Sequence, residues 1–270
     1  MGFVDGCYLQ LILLAIFKQR AHSCKKGLAL IYLGDNCLIW YKNSSNVKFY
    51  TRNIRGELML LTDFMNENFL NLELRPPLFY SWDIGIRFEL GIDWKREYDY
   101  PNNPYLLGCY NRAITLFDFV HSPADDIFVV IDVNDFNNGK NIKRHLKNFS
   151  PYVEKPLLYR LNHQIKPYIF PEDDEKGLYK THRFTLKCKT SDFKYIPLLK
   201  AICNQDLGIR PNIFHRVYFI NINKKTIFHI YDDRGCDLLA TSPEAVRNIY
   251  NEYNEWILDY DRREIDKLFT

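Results

Sequence analysis

Three apolar runs, Val217–Ile220, Thr226–Tyr231 and Cys236–Ala240, follow one another through links of only a few residues, one turning at Asn223-Lys224-Lys225 and the other at Asp232 to Gly235. A parallel strand pair needs a crossover of roughly a dozen residues or more, so these runs can only pair as antiparallel neighbours. Helical patterns flank them. Thr241 or Ser242 caps a helix with Pro243 at its first position and Glu244 in its first turn, and Val246, Ile249, Tyr250, Tyr253 and Trp256 form its buried side. The class is therefore α+β, a mostly antiparallel sheet with flanking helices.

Upstream, Thr62 or Asp63 caps a short helix through Phe69, and Arg75-Pro76-Pro77 forces an extended turn, because proline restricts its own φ and its predecessor. Ile84 to Leu90 alternates as a strand with Arg87 and Glu89 on one face. Pro104 opens a helix to about Phe119, with Leu107, Tyr110, Ile114, Phe117 and Phe119 as its apolar side, and Ile127 to Val133 is a buried strand. Asn137-Asn138-Gly139 reads as a turn, Lys143 to Asn148 as a basic helix, and Pro171 to Glu175 as a solvated acidic loop. Arg183 to Leu186 then echoes Arg87 to Leu90, a helix from Asp192 to Cys203 follows with Ser191 as its cap, and Val217 to Ile220 echoes Val129 to Ile131. The body reads as two strand-helix-strand halves, a likeness that shared secondary structure explains without duplication.

Charge separates the first part of the chain from the rest. Residues 1–58 hold eight Lys and Arg against Asp5, Asp35 and Glu57, while the remainder holds 28 bases and 30 acids. A weakly acidic body gives no footprint for phosphate neutralisation, so nucleic acid is not expected as a partner, and the Lys140 to Lys147 stretch is its sole support. The apolar stretches Tyr8 to Phe17 and Leu28 to Tyr32 are shorter than the roughly 20 residues that span a bilayer, so no membrane association is expected. The leading residues contain Asp5 and no base ahead of the first stretch, unlike a secretory signal. Arg55-Gly56-Glu57, encoded as AGA-GGT-GAA, would place a ribosome-binding sequence just ahead of Met59. The expectation is a non-native upstream extension or poorly ordered segment over 1–58 and a single α+β domain over 59–270.

Two stretches, His229 to Asp237 (HIYDDRGCD) and Tyr250 to Arg262 (YNEYNEWILDYDR), together with Pro76 to Gly91 and Ala201 to Asp206, resemble the bacterial family catalogued as Domain of Unknown Function 3885, from about Met59 to Phe269. The resemblance implies a cytoplasmic single-domain protein of Gram-positive bacteria. It carries over no functional residue.

The densest polar cluster is Asp232, Asp233, Arg234 and Asp237 beside His229. Its structural reading is a turn in which the Asp side chains accept backbone N–H bonds, Gly235 takes a positive φ and Arg234 pairs with an acid. Its functional reading is a recognition surface, or a hydrolytic site with His229 as base. No third metal ligand is identifiable, so no metal is assigned. Arg87, among Trp82, Asp83 and Glu89, is either ion-paired or faces an anionic partner group. Asp259 to Glu264 reads as a network tying the tail to the sheet, anchored by Trp256 and Tyr260. Cys109, Cys188, Cys203 and Cys236 lack Cys-x-x-Cys spacing and read as buried free thiols of a reducing, cytoplasmic compartment. No phosphate loop, dinucleotide fingerprint or nucleophile elbow is present, and no cofactor is expected. These features favour a non-enzymatic protein-binding module, regulatory or toxin-neutralising, with candidate residues Asp232, Asp233, Arg234, Asp237, His229 and Arg87. The alternative is a hydrolase or nucleotide-processing enzyme, which requires the Asp cluster and His229 to converge in one pocket.

Overall fold

The computed structural model describes residues 60–95, 103–136, 150–158 and 160–270 with their side chains, and three strands within 27–53 as backbone. The chain divides into two compact units, Met1–Leu60 and Leu61–Thr270. In the first, β1 (Gly27–Leu33), β2 (Asn36–Asn43) and β3 (Asn46–Asn53) form an antiparallel meander in that order. The Leu28 to Tyr32 stretch lies within β1. Tyr8 to Phe17, Asn137 to Gly139, Lys143 to Asn148 and the whole of Lys140 to Lys147 fall outside the described residues.

The second unit is organised by a seven-stranded sheet in which every neighbouring pair is antiparallel. Its strands are β4 (Gly85–Glu89), β5 (Asp126–Asp135), β6 (Asn162–Pro167), β7 (Lys180–Lys189), β8 (Arg216–Asn221), β9 (Thr226–Ile230) and β10 (Gly235–Ala240), in the order β4-β10-β9-β8-β5-β7-β6. Helices α1 (Leu61–Asn68), α2 (Pro104–Val120), α3 (Lys155–Leu158), α4 (Tyr195–Cys203), α5 (Glu244–Glu252) and α6 (Asp259–Asp266) complete it. The two strand-helix-strand halves are β4-α2-β5 and β7-α4-β8. In each the two strands run parallel but do not touch: β5 separates β7 from β8, and three strands separate β4 from β5.

Both faces of the sheet are covered, so its central strands are apolar almost without alternation. Ile127, Val129, Ile131, Val217, Phe219 and Phe228 lie in the core with α2, α4 and α5. The opposite side chains, Phe128, Val130, Tyr218, Ile220, Ile227 and Leu239, pack against Phe64 of α1 and the strap that follows it, which contributes Phe69, Leu74 and Leu78. The strap crosses the sheet and is tied at both ends: Leu74 O accepts from Arg183 Nη2 (3.1 Å) on β7, and Phe79 N donates to Asp237 Oδ2 (3.2 Å) on β10.

Four local expectations change. The buried stripe of α2 is Leu106, Cys109, Tyr110, Ala113, Leu116, Phe117 and Val120, whereas Leu107 and Phe119 are exposed, because small Cys109 and Ala113 let the sheet approach closely. Helix α4 begins at Tyr195, not at Asp192: Ser191 N is spent on Pro123 O (3.0 Å), and Phe193 bridges Val153 before the helix starts. Gly235 is extended and opens β10 opposite Glu89. It has no room for a side chain, since a Cβ there would lie 2.6 Å from Phe88 O and closer still to the Tyr231 hydroxyl. Tyr260 is 85% exposed, because α6 turns Asp261 and Ile265 inward instead.

Candidate functional site

The residues of the HIYDDRGCD stretch separate onto different surfaces. At the turn, Asp232 accepts from Arg234 N (2.8 Å) and Arg234 Nε (2.8 Å) and pairs with Arg234 Nη2, so a side chain two residues on closes the loop. Arg234 itself is largely exposed. Asp233 turns toward α2 and accepts from Tyr105 OH at 2.5 Å. Burial raises the Tyr105 hydroxyl well above its ordinary value, and the Asp233 bond adds to this. Burial and the Asp233 charge also push the neighbouring Cys109 thiol up to about 12.

Asp237 and His229 are cross-strand partners and Arg87 faces Asp237 from β4, so these three occupy one row beneath the strap. Arg87 Nε donates to Asp237 Oδ1 (3.0 Å), and its Nη1 donates to Asp261 Oδ2 (3.1 Å) on α6 and to Tyr80 OH (3.0 Å). Tyr80 OH donates in turn to Asp261 Oδ1 (2.8 Å). The guanidinium lies 4.8 Å from the Tyr80 ring centroid, within cation–π range. Burial alone would lower the Arg87 value, but the Asp237 charge and hydrogen bond more than reverse it. Burial raises Asp237 despite Arg87 and the Phe79 N–H. This network ties tail, strap and sheet together, through Asp261 rather than Tyr260.

His229 has no solvent access for a proton. Burial lowers it to about 4, its Nδ1 donates to Val217 O (2.9 Å), and its ring stacks on Tyr218 at 4.4 Å. The acids at the turn and His229 do not meet in one place. Cys109, Cys188, Cys203 and Cys236 are buried and free. Among the described residues no group of three His, Cys, Asp or Glu side chains is arranged to hold a metal ion, and no helix is long and apolar enough to cross a membrane.

Three arrangements lie outside the sequence reading. Arg183 grips Asp132 with both ends of its fork (Nε–Oδ1 2.7 Å, Nη2–Oδ2 2.6 Å) on the strap side of the sheet; an Asp inside the otherwise apolar Ile127–Val133 run was its one sequence signal. At the far end of the sheet, Asp135 Oδ2 lies 3.5 Å from His182 Nε2, and His182 Nδ1 lies 2.8 Å from Nε2 of His163 on β6. No spacing rule joins these three. Finally, the two sheet edges differ. Outside β4, Leu258 N donates to Arg87 O (2.9 Å), Ile257 bridges Phe88, and Arg112 Nη1 donates to Glu89 O (2.9 Å). Beyond β6, no described residue bonds the outer edge of Asn162–Pro167, whose residues are exposed except for half-buried Lys166.

A family model described as domain of unknown function (DUF3885) matches residues 61–261. The chain belongs to this family. It is also similar to the uncharacterized protein YnaE of Bacillus subtilis (strain 168), 32% identical over 211 residues that cover 75% of this chain and 99% of that protein. No solved structure matches. Within the family match fall both the HIYDDRGCD turn and the Arg87–Asp237–Asp261 network, as well as strand β6.

Proposed function

We propose that the chain is a protein-binding module that takes an extended, acidic segment of its partner onto the outer edge of β6. The observation that carries this reading is the contrast between the two edges: β4 is covered by the chain's own backbone and side chains, and no described residue bonds the outer edge of β6. An open edge displays unpaired N–H and C=O groups, which an added strand satisfies. Apolar side chains adjoin it. Ile165 is 61% and Leu178 62% exposed, and Phe136, Tyr168 and Tyr179 gather edge to face at 4.9–5.6 Å where β5 and β6 end and β7 begins. From Lys155 to Pro167 the chain holds Lys155, Arg160 and Lys166 and no acid, which selects a segment of opposite charge. The division of Asp232, Asp233 and His229 among separate surroundings favours binding over hydrolysis.

The test is partner capture by the full chain, followed by hydrogen exchange on the complex. Slowed exchange at Asn162–Lys166, with binding lost in Ile165→Asp and kept in Tyr260→Ser, supports the reading. A complex that leaves those amides unprotected and tolerates Ile165→Asp overturns it.

A further inference from the structure

We propose that His163 is a nucleophile that accepts a phosphoryl group at Nδ1 from a small anionic phosphoryl donor. The argument is independent of the partner reading and begins with hydrogen-bond direction. The Asp135 carboxylate can only accept, so the His182 Nε2 facing it at 3.5 Å carries the proton. With its Nε2 proton toward Asp135, His182 presents a lone pair at Nδ1, and His163 Nε2, 2.8 Å away, donates to it. That leaves the His163 lone pair on Nδ1, to which no described residue bonds. His163 is exposed, while Asp135 and His182 are buried behind it.

The ring is also held in place. It lies nearly parallel to His182 (11°, centroids 5.0 Å) and to Phe184 (10°, 4.5 Å), so its outer nitrogen has a set direction. Burial and the neighbouring His182 keep His163 below its ordinary value, and so neutral near pH 7. An anionic donor fits the surroundings. The 155–167 run is basic and free of acids, and Lys180, the register partner of Asp135, is exposed and in no ion pair among the described residues.

The same chain of groups disposes of the charge that attack creates. With phosphoramidate as donor, the Nδ1 lone pair forms the N–P bond as the donor's own P–N bond breaks and ammonia departs with that electron pair. The His163 ring becomes cationic. Its Nε2 proton passes to His182 Nδ1, and the resulting imidazolium lies against the Asp135 carboxylate. His182 and Asp135 are positioning residues in this scheme, and His163 is the group that reacts.

The experiment treats the full chain with phosphoramidate, maps acid-labile phosphoryl adducts by mass spectrometry, and follows their rate against N-acetylhistidine. The expected adduct is on His163, formed faster than on the free imidazole. His182→Gln is expected to slow it by about 100-fold, the usual scale of a positioned proton acceptor. Asp135→Asn should slow it as well. No adduct on His163 in the natural chain, a rate equal to that of N-acetylhistidine, or a His182→Gln rate equal to the parent's would each overturn the assignment; the first two need no variant to fold.

Discussion

Replacing Arg87 with Met tests whether the buried charge network holds the second unit together. The guanidinium is shared by two carboxylates that are nine-tenths or more buried, Asp237 and Asp261, at 3.0 and 3.1 Å. Removing it leaves both charges in the interior, with Phe79 N and Tyr80 OH as the remaining donors among the bonds described above. Breaking a buried pair in this way costs about 3–5 kcal/mol, whereas an exposed pair is worth at most about 1 kcal/mol. Since a domain's whole stability is about 5–15 kcal/mol, the loss is a large share of it. The pH dependence has a definite sign. Asp237 is raised above its unfolded value by burial, and loss of Arg87 raises it further. Protonated in both states at low pH, it carries no penalty there; the penalty grows as pH rises from the unfolded carboxylate range, about 3.9, through the higher folded value. Urea unfolding at pH 7 and pH 5, with Asp237→Asn added to Arg87→Met as the second arm, reads all three effects. A deficit under about 1 kcal/mol at pH 7, unchanged at pH 5 and not reduced by Asp237→Asn, would refute the reasoning.

Acid should destabilise the fold through His121 and His229. Both are lowered to about 4 by burial, so the stability they support is whole above the unfolded value of 6.5 and is lost as pH falls from there to 4, by about 3 kcal/mol each; thermal melts across that window should flatten in His229→Phe. Asp233→Ala strands the buried Tyr105 hydroxyl, and Arg234→Ala leaves the buried Asp232 carboxylate with the backbone N–H at position 234 as its remaining donor among the bonds described above, so each should cost about 1–3 kcal/mol, read as a lowered melting temperature of the single variant. For the native locus we propose translation from Met59, and the intact mass is expected to match 59–270; a mass matching 1–270 removes the proposal.

The HIYDDRGCD turn was recognisable from its residues, yet its chemistry was not. Asp233 and Asp237 are four residues apart in a strand-entering turn, and only the register of β10 against β4 and β9 sends Asp237 to Arg87 while Asp233 meets Tyr105. The α2 stripe was misread where it depended on Cys109 and Ala113, whose small volumes make them weak signals in a pattern of large apolar residues. Ser191 looked like a cap because its hydroxyl chemistry suits one, but it lies inside a short 3-10 turn, Thr190–Asp192, and the chain is extended at Phe193 before the helix starts.

Local composition and spacing determined the antiparallel class, the three-strand run from Val217 to Ala240, the start of α2 at Pro104 and the free, buried thiols, because each follows from short-range geometry or from the preference of a single side chain. Tertiary structure alone decided strand order, the covered edge at β4, and the meetings of Arg87 with Asp261, Arg183 with Asp132, and His163 with His182. Those contacts join residues 19 to 174 positions apart. Nothing in the local preference of either partner encodes the other: the register of β7 against β5 and β6 brings Arg183 to Asp132 and His182 to His163, and the placement of α6 brings Asp261 to Arg87.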